Sequence, residues 1–259
     1  MSKIHQAFSF LSYWLNQENE HSIHSPYVYD LYKNVIIDKH SKKQFYNEIE
    51  KVRHQFIHSD KTIELNGLGS KPNVKSSNKI SSIAKHGVTK SKFNRLLDRL
   101  LDHLEAKSII ELGTSLGINT LYLAAEKNRK VYTFEGNSSL CAISQAVFEG
   151  NNRSNIEVIE GNIDDLLPHF LQTHDKFDFV FFDANHTYKA TKNYFELIHR
   201  NAHDKTCFVF DDIHRDAEME RVWEEIKSNF ETTLTIDLFQ IGIAFINPEL
   251  NKQDYTLTF

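Results

Sequence analysis

The chain has 259 residues, a formal net charge of -5 at pH 7 and two cysteines, Cys141 and Cys207. This length allows one large α/β domain, and the negative charge argues against a general nucleic-acid-binding protein. Two cysteines far apart in sequence argue against a disulfide framework or a zinc knuckle. Polar residues interrupt the N-terminal segment, so we expect no signal sequence, and no apolar run is long enough to cross a bilayer. We therefore expect a soluble, cytoplasmic protein without membrane association.

The N-terminal part of the chain predicts a series of helices. Residues 3–17 place apolar side chains at helical spacing, and we expect this helix to pack onto the main domain. A dimer contact and a substrate lid are the alternatives. Ser25 followed by Pro26 predicts a helix start, because a hydroxyl caps free N–H groups and proline suits the first helical position. That helix is expected over 27–37, and another amphipathic helix over 41–57.

Two histidines, His21 and His24, precede the Ser25–Pro26 helix start. They could ligate a metal ion, but neither a cysteine nor a third histidine is well placed beside them. We therefore prefer the capping interpretation for this segment and assign the histidines no role.

Residues 59–92 differ in composition from the helices before them. Glycine and proline within 66–72 predict a turn, and the lysines that follow are interleaved with serine and asparagine. We expect a solvated, mobile loop, with a lid that meets an acidic substrate as the alternative. RNA binding is disfavoured because no aromatic side chains that could stack on bases alternate with these lysines.

From Phe93 onward, apolar strands alternate with amphipathic helices, which predicts a mostly parallel sheet with helices on both faces. A pair of adjacent strands, 232–239 and 241–246, predicts an antiparallel hairpin at the end. The remaining predicted strands are 107–112, 130–135, 156–160, 177–183 and 206–211, and the predicted helices are 93–104, 117–127, 138–149, 163–172, 187–200 and 215–229.

One stretch, E-L-G-T-S-L-G over 111–117, joins a predicted strand to a predicted helix. Gly113 can adopt backbone angles that a side chain forbids, and it lets a ligand approach the main chain. The central glycine of the NAD fingerprint is missing, and Glu111 would repel a pyrophosphate but attract a cationic amino acid. The stretch resembles the first motif of class I S-adenosylmethionine-dependent methyltransferases. This resemblance implies that S-adenosylmethionine contacts Glu111, Gly113, Thr114, Ser115 and Gly117.

The second strand of this domain ends in Glu135, followed by Gly136 and Asn137. An acid about twenty residues after the glycine turn accepts hydrogen bonds from a ribose diol. Methyltransferases and NAD enzymes both have an acid here, so Glu135 predicts a ribose without choosing between them. A helix-capping role for Glu135 is less attractive, because Ser138 can cap the next helix.

The third strand is followed by Gly161, Asn162 and Ile163. The methyltransferase resemblance implies that these residues border the adenine ring of the cofactor. For Asp164 and Asp165 we prefer a structural role, because the helix dipole favours acids in a first helical turn.

Two later strands end in carboxylates: Asp183 after one, and Asp211 and Asp212 after the other. Crowded carboxylates repel each other unless a proton or a cation lies between them, and oxygen ligands suit magnesium. The trio resembles the metal site of catechol-type O-methyltransferases, which implies Mg²⁺ bound by Asp183, Asp211 and Asp212. Alternatively, Asp183 lines the cofactor pocket, and Asp211 or Asp212 caps the next helix.

His186 occupies the position at which the catechol enzymes carry a lysine base. Histidine titrates near neutrality and is suited to the same role, with His214 as the second candidate and Asp183 beside them in the catalytic set. Either histidine could instead be structural, or could be a nitrogen ligand of a transition metal. The departure from lysine weakens the inference of a catechol substrate in particular.

Taken together, the resemblance implies a Rossmann-like class I methyltransferase fold of the α/β class over 93–259, with a C-terminal antiparallel hairpin and an N-terminal helical cap over 1–92. The segment H-S-I-H-S-P also resembles the N-terminal extension of a group of bacterial class I methyltransferases. The implied function is O-methylation of a small-molecule acceptor with magnesium assistance, and a homodimer is left open. An NAD-dependent oxidoreductase and a non-catalytic cofactor-binding protein with the same fold are the alternatives.

Overall fold

The computed structural model describes residues 3–38, 43–65, 76–174 and 176–259. The chain forms two compact units, which we call the terminal unit (Met1–Asp38 with Asp175–Phe259) and the middle unit (Lys39–His174). Each unit is a region of the chain with dense internal contacts and need not be a domain. The predicted division into 1–92 and 93–259 therefore stays a prediction. None of the described helices is long and apolar enough to span a membrane.

The terminal unit begins with two helices. Helix α1 (Lys3–Asn16) confirms the amphipathic helix predicted over 3–17, and α2 (Pro26–Leu31) continues into a π-helical turn, Tyr32–Ile36. As predicted, the Ser25 hydroxyl caps α2 by accepting a hydrogen bond of 3.4 Å from the Val28 N–H. Polar and proline signals therefore located this helix start correctly from local sequence alone.

The middle unit contains three parallel strands, β3 (Ser108–Leu112), β4 (Lys130–Glu135) and β5 (Ile156–Glu160), which lie side by side in that order. Glu111 lies opposite Thr133, and Glu135 lies opposite Glu160, so the carboxyl ends of the three strands share one edge. The elements are α3 (Gln44–Ile57), β1 (Thr62–Leu65), β2 (Ser76–Lys79), α4 (Ile80–His86), α5 (Ser91–His103), β3 (Ser108–Leu112), α6 (Ile118–Leu123), β4 (Lys130–Glu135), α7 (Ser138–Gly150), β5 (Ile156–Glu160) and α8 (Ile163–Thr173).

The expectation of a loop over 59–92 is wrong for the described part of that segment. Strands β1 and β2 pair antiparallel, and α4 follows directly. The predicted turn over 66–72 lies outside the described residues. Ile80 and Ala84 of α4 are buried against Leu116 and Leu140, with Ile63 packed on the same cluster. This apolar contact orders a segment whose lysine-rich composition resembles that of a loop.

In the rest of the terminal unit, five strands lie in the order β10 (Gln253–Thr256), β8 (Leu234–Asp237), β9 (Ile241–Phe245), β7 (Cys207–Asp211) and β6 (Phe179–Phe182). Strands β6 and β7 are parallel, and β9 pairs antiparallel with both β7 and β8, which confirms the predicted hairpin. Strand β10, parallel to β8, was not predicted, because its sequence Q-D-Y-T is short and polar. The elements are β6 (Phe179–Phe182), α9 (Tyr188–His199), β7 (Cys207–Asp211), α10 (Ala217–Ser228), β8 (Leu234–Asp237), β9 (Ile241–Phe245) and β10 (Gln253–Thr256).

Three of the parallel strands are almost completely buried. Every residue of β6 and β7 is buried, as are the last four residues of β3. Continuous apolar burial is typical of parallel strands covered by helices on both faces. Together with the antiparallel pair, this confirms the predicted Rossmann-like α/β fold class.

Candidate functional site

The glycine turn between β3 and α6 (113–117) is held against the end of β4. The N–H groups of Gly113 and Thr114 both donate to the carbonyl of Phe134, at 3.0 and 3.1 Å. Gly117 has a φ of +76°, and a Cβ there would lie 2.7 Å from the Phe148 ring. A side chain at that position would therefore be strained and would collide with α7, which explains the requirement for glycine.

Glu135, the predicted ribose ligand, connects two loops at this edge. Its Oε2 accepts a hydrogen bond of 2.8 Å from the Ser115 N–H, and its Oε1 accepts one of 2.9 Å from the Asn137 N–H. Burial raises the pKa of Glu135, although N–H groups that include that of Gly136 oppose the rise. A carboxylate has about four lone-pair sites, so these bonds leave acceptor capacity for a ligand hydroxyl.

Glu111 is fully buried, and its carboxylate lies among internal donors. Its Oε1 accepts from Asn119 Nδ2 at 2.7 Å, while its Oε2 accepts from the hydroxyls of Thr120 at 2.5 Å and Thr133 at 2.6 Å. A buried carboxylate needs such donors to offset the loss of hydration. The sequence indicated direct attraction of a cationic ligand by Glu111, and that stays a prediction. The contacts instead make Glu111 an anchor for the turn.

Asn137 is the cap of α7, so the prediction that Ser138 fills this position is wrong. Its Oδ1 accepts a hydrogen bond of 3.1 Å from the Leu140 N–H, and its Nδ2 donates to the carbonyl of Glu64 at 3.3 Å. The cap is thus one residue earlier than expected, and it also attaches β1 to this edge of the sheet.

The loop after β5 combines backbone freedom with a helix cap. Gly161 has a φ of +141°, and its N–H donates to the last carbonyl of β4 at 2.9 Å. Asn162 caps α8, which begins at Ile163, by accepting a hydrogen bond of 3.2 Å from the Asp164 N–H. Asp164 and Asp165 occupy the first helical turn, which agrees with the structural role preferred for them.

In the terminal unit, Asp183 and Asp211 lie at adjacent strand ends. Phe182 of β6 is the register partner of Phe210 of β7, and each aspartate is the next residue. Burial raises the pKa of Asp211 well above its usual value, and the charges of Asp183 and Asp212 raise it further. Burial also raises the pKa of Asp212, and His186 opposes that shift. The predicted trio is therefore brought together as an electrostatically coupled group.

One carboxylate oxygen of this trio is buried without a hydrogen-bond partner among the described residues. This oxygen is Asp211 Oδ1. A shared proton or a cation would satisfy it. Within the described ranges, however, no set of three or more histidine, cysteine or acidic side chains is arranged to hold a metal ion. The carboxylates thus have the chemistry that Mg²⁺ prefers without forming a closed cage, and the metal stays a prediction.

His186 and His214 lie in different surroundings. His186 Nε2 is 3.3 Å from Asp183 Oδ1, and the φ of +39° at His186 is uncommon for a residue with a side chain. His214 uses both ring nitrogens, with Nε2 2.7 Å from Asp237 and Nδ1 3.0 Å from Glu220. Burial opposes protonation of His214, but these carboxylates outweigh it and raise its pKa. Both ring nitrogens of His214 are therefore engaged by carboxylates, and His186 is the better placed candidate base.

Known proteins resemble the segment that contains the glycine turn. Residues 110–213 match a family model described as a methyltransferase domain. The catechol O-methyltransferase of Niastella koreensis is 30% identical over 132 residues, which cover 49% of this chain and 58% of that protein. Residues 110–213 are therefore similar to a methyltransferase domain. The match spans just over half the length of that curated relative.

Solved structures of methyltransferases share the fold of this chain. The O-methyltransferase of Bacillus cereus in complex with SAH has a TM-score of 0.57 and 19% identity, covering 85% of this chain and 97% of that one. The SAM complex of the O-methyltransferase TomG from Streptomyces achromogenes has a TM-score of 0.56 and 17% identity, covering 84% and 95%. The SAH-bound methyltransferase PaMTH1 of Podospora anserina has a TM-score of 0.60 and 10% identity, covering 86% and 96%.

The matched segment, residues 110–213, contains the glycine turn, Glu135 and the aspartate trio, whereas His214 lies just beyond it. Sequence reasoning missed the donors to Glu111, namely Asn119, Thr120 and Thr133. A signal was present, because Asn119 and Thr120 are polar at the start of a helix that is otherwise apolar and buried. Buried polar residues beside a motif acid are expected to bond it.

Proposed function

We propose that this protein is an S-adenosylmethionine-dependent methyltransferase that methylates a hydroxyl oxygen of a small molecule. The observation that carries the proposal is the match over 110–213 to a methyltransferase domain, in a segment where Glu135 is bonded to the glycine turn. The curated relative's name, catechol O-methyltransferase, supports an oxygen acceptor, and the SAM and SAH complexes of similar folds support the cofactor.

In this proposal the carboxyl edge of β3, β4 and β5 binds S-adenosylmethionine. Glu135 accepts hydrogen bonds from the ribose hydroxyls through its unused lone pairs, and the loop after β5 borders the adenine. The main chain of the glycine turn borders the methionine part, and Glu111 holds that turn from inside. The proposed cofactor residues are Glu111, Gly113, Thr114, Ser115, Gly117, Glu135, Gly136, Asn137, Gly161, Asn162, Ile163 and Asp183.

The cofactor supplies a methyl group already activated on a sulfonium, so the protein's tasks are alignment, exclusion of water and proton removal. We assign proton removal to His186. Asp183 faces Nε2 of its ring at 3.3 Å, which leaves Nδ1 to accept the proton of the acceptor hydroxyl. A carboxylate beside the imidazole stabilises the imidazolium that forms. We assign His214 a structural role rather than that of a second base, because Asp237 and Glu220 occupy both of its ring nitrogens.

Asp183, Asp211 and Asp212 would hold Mg²⁺, and the unpartnered buried oxygen of Asp211 supports this assignment. Bound there, the cation would lower the pKa of an acceptor hydroxyl. Burial and then the charge of Asp183 raise the pKa of Asp211 and Asp212, and a cation would relieve the repulsion between these carboxylates.

We further propose a homodimer that forms through α1. Phe8, Phe10, Leu11, Trp14 and Leu15 are each about half or more exposed, from 48% to 69%. With about 150–250 Å² per large side chain, this face offers roughly 500 Å² of apolar area. That value is close to the apolar share of a standard interface of about 800 Å² per partner. A membrane-surface helix would need a more basic polar face.

The proposal also includes a cytoplasmic location and a small-molecule rather than nucleic-acid acceptor. Cys141 and Cys207 are free and buried, which suits a reducing compartment. Small diphenols are the first acceptors to test, because the curated relative is a catechol O-methyltransferase.

Calorimetric titration with S-adenosylhomocysteine and with NAD⁺ tests the cofactor. We expect binding of the former only, and binding of NAD⁺ alone would favour an oxidoreductase. Transfer of a labelled methyl group to a panel of diphenols, other alcohols and amines tests the reaction. Cofactor binding without transfer to any acceptor would favour the non-catalytic alternative.

A further inference from the structure

A buried chain of hydrogen bonds, which we call the Arg53–Glu111 relay, connects α3 with β3. Arg53 donates through a terminal guanidinium nitrogen to Asn94 Oδ1 at 2.7 Å. Asn94 Nδ2 donates to Asn119 Oδ1 at 2.5 Å, and Asn119 Nδ2 donates to Glu111 Oε1 at 2.7 Å. All four side chains are less than a tenth exposed. The relay therefore crosses α3, α5, α6 and β3 inside the middle unit.

The chemistry at its two ends fixes the direction of the relay. A guanidinium can only donate hydrogen bonds and an ionised carboxylate can only accept them. Each amide between them must therefore accept on the Arg53 side and donate on the Glu111 side. The bonds are aligned head to tail between a positive and a negative charge, which stabilises the buried Glu111 carboxylate, while Glu50 also pairs directly with Arg53 Nε at 3.1 Å.

The relay continues from Glu111 into the glycine turn. Thr133, which donates to Glu111, is itself bonded to the Thr114 hydroxyl at 2.6 Å. Thr114 precedes Ser115, whose N–H donates to Glu135. A change at the start of the relay is thus expected to alter the turn that would hold the cofactor.

We infer that Arg53 and Asn94 are positioning residues for the cofactor, an inference that rests on the proposed S-adenosylmethionine site. Both lie outside the matched methyltransferase domain of 110–213. They keep the Glu111 carboxylate directed at Asn119, Thr120 and Thr133, and they thereby fix the turn. Helices α3 and α5 contribute in this way to cofactor affinity without contacting the cofactor.

The substitution Asn94→Asp tests the direction of the relay. An ionised carboxylate there still accepts from Arg53 but cannot donate to Asn119, whereas a protonated carboxyl group can. We expect the affinity for S-adenosylhomocysteine, relative to wild type, to fall about 10-fold near neutral pH. The affinity should recover as pH falls and the new carboxyl protonates. The charged and titratable groups around the relay include Arg53 and Glu50 of α3, Tyr122 of α6 and Glu111, so variant and wild type are compared at each pH.

Asp98→Asn provides a matched control on the next turn of α5. Asp98 is fully buried and bonded to Tyr46 and Arg129 at 2.8 Å each, but none of its hydrogen bonds reaches Glu111. We expect this variant to lower the melting temperature without a pH-dependent loss of cofactor affinity. The comparison separates positioning of the turn from general destabilisation of α5.

A second pair of variants tests the same inference if the Asn94→Asp protein does not fold. Arg53→Met should weaken cofactor binding, whereas Arg53→Lys, which keeps a donor and a charge, should restore part of it. If wild type does not bind S-adenosylhomocysteine, the proposed function itself is wrong. If wild type binds it and the relay and control variants lose affinity equally, or lose none, the positioning inference is wrong.

Discussion

The backbone N–H of Ser115 donates a hydrogen bond of 2.8 Å to the side chain of Glu135, twenty positions later in the chain. The bond joins the loop that follows β3 to the last residue of the neighbouring parallel strand β4. Ser115 has a φ of +51°, a conformation uncommon outside glycine, and this contact helps to offset its cost. The backbone conformation of the glycine turn and the position of the Glu135 side chain therefore depend on each other.

Glu135→Gln should weaken binding of S-adenosylhomocysteine about 10-fold, because an amide leaves an N–H facing one of the two backbone donors. Isothermal calorimetry measures the change. Glu160→Gln is the matched control, because Glu160 is the register partner of Glu135 but is exposed. Equal affinity of Glu135→Gln and wild type would refute the ribose assignment.

In the metal-free wild type, we expect the free energy of unfolding to fall as pH rises. The Asp211→Asn variant should show a smaller fall. The pKa of Asp211 is raised in the folded state, so its contribution is most favourable below the unfolded pKa of about 4 and is lost as pH rises toward the folded value. Thermal unfolding between about pH 5 and pH 8 in a chelator measures the slope. Asp165→Asn, in the first turn of α8, is the control. If Asp211→Asn and wild type lose stability equally with rising pH, Asp211 is not the group responsible for that loss.

Asp212→Asn should abolish stimulation of methyl transfer by Mg²⁺ while S-adenosylhomocysteine still binds, because the substitution removes a charged oxygen ligand. Labelled-methyl assays across magnesium concentrations, with calorimetry in parallel, measure the two effects. Full activity of wild type in a chelator would remove the metal from the mechanism.

His186→Gln should lower kcat by roughly 10²-fold or more with little change in cofactor affinity, because it removes the proposed base. The limb of the pH–rate profile that reports the base should disappear as well. His214→Gln is the contrast, since loss of its bonds to Asp237 and Glu220 should lower stability more than turnover. A larger loss of kcat in His214→Gln would reverse the two assignments.

Phe8→Glu combined with Leu15→Glu should convert a dimer into a monomer, because the substitutions place charges on the exposed apolar face of α1. Light scattering coupled to size-exclusion chromatography measures the mass. Tyr13→Phe is a control on the inner side of the helix, where the hydroxyl donates to the Leu257 carbonyl. A wild-type monomer at all concentrations tested would exclude the dimer.

Local sequence determined much of this protein. The alternation of strands and helices after Phe93, the glycine turn and the C-terminal hairpin were all predicted, because each depends on residues close together in the chain. The aspartates at the ends of β6 and β7 were brought together as expected, since neighbouring parallel strands end at one edge.

Tertiary structure decided what each side chain contacts. Glu111 matches a motif whose acid suggested attraction of a ligand, yet its partners are Asn119, Thr120 and Thr133. The Arg53–Glu111 relay joins residues up to 58 positions apart, and no pattern of neighbours indicates such a pairing. Periodicity reports which face of an element is apolar, whereas the partner of a buried polar group depends on how separate elements pack.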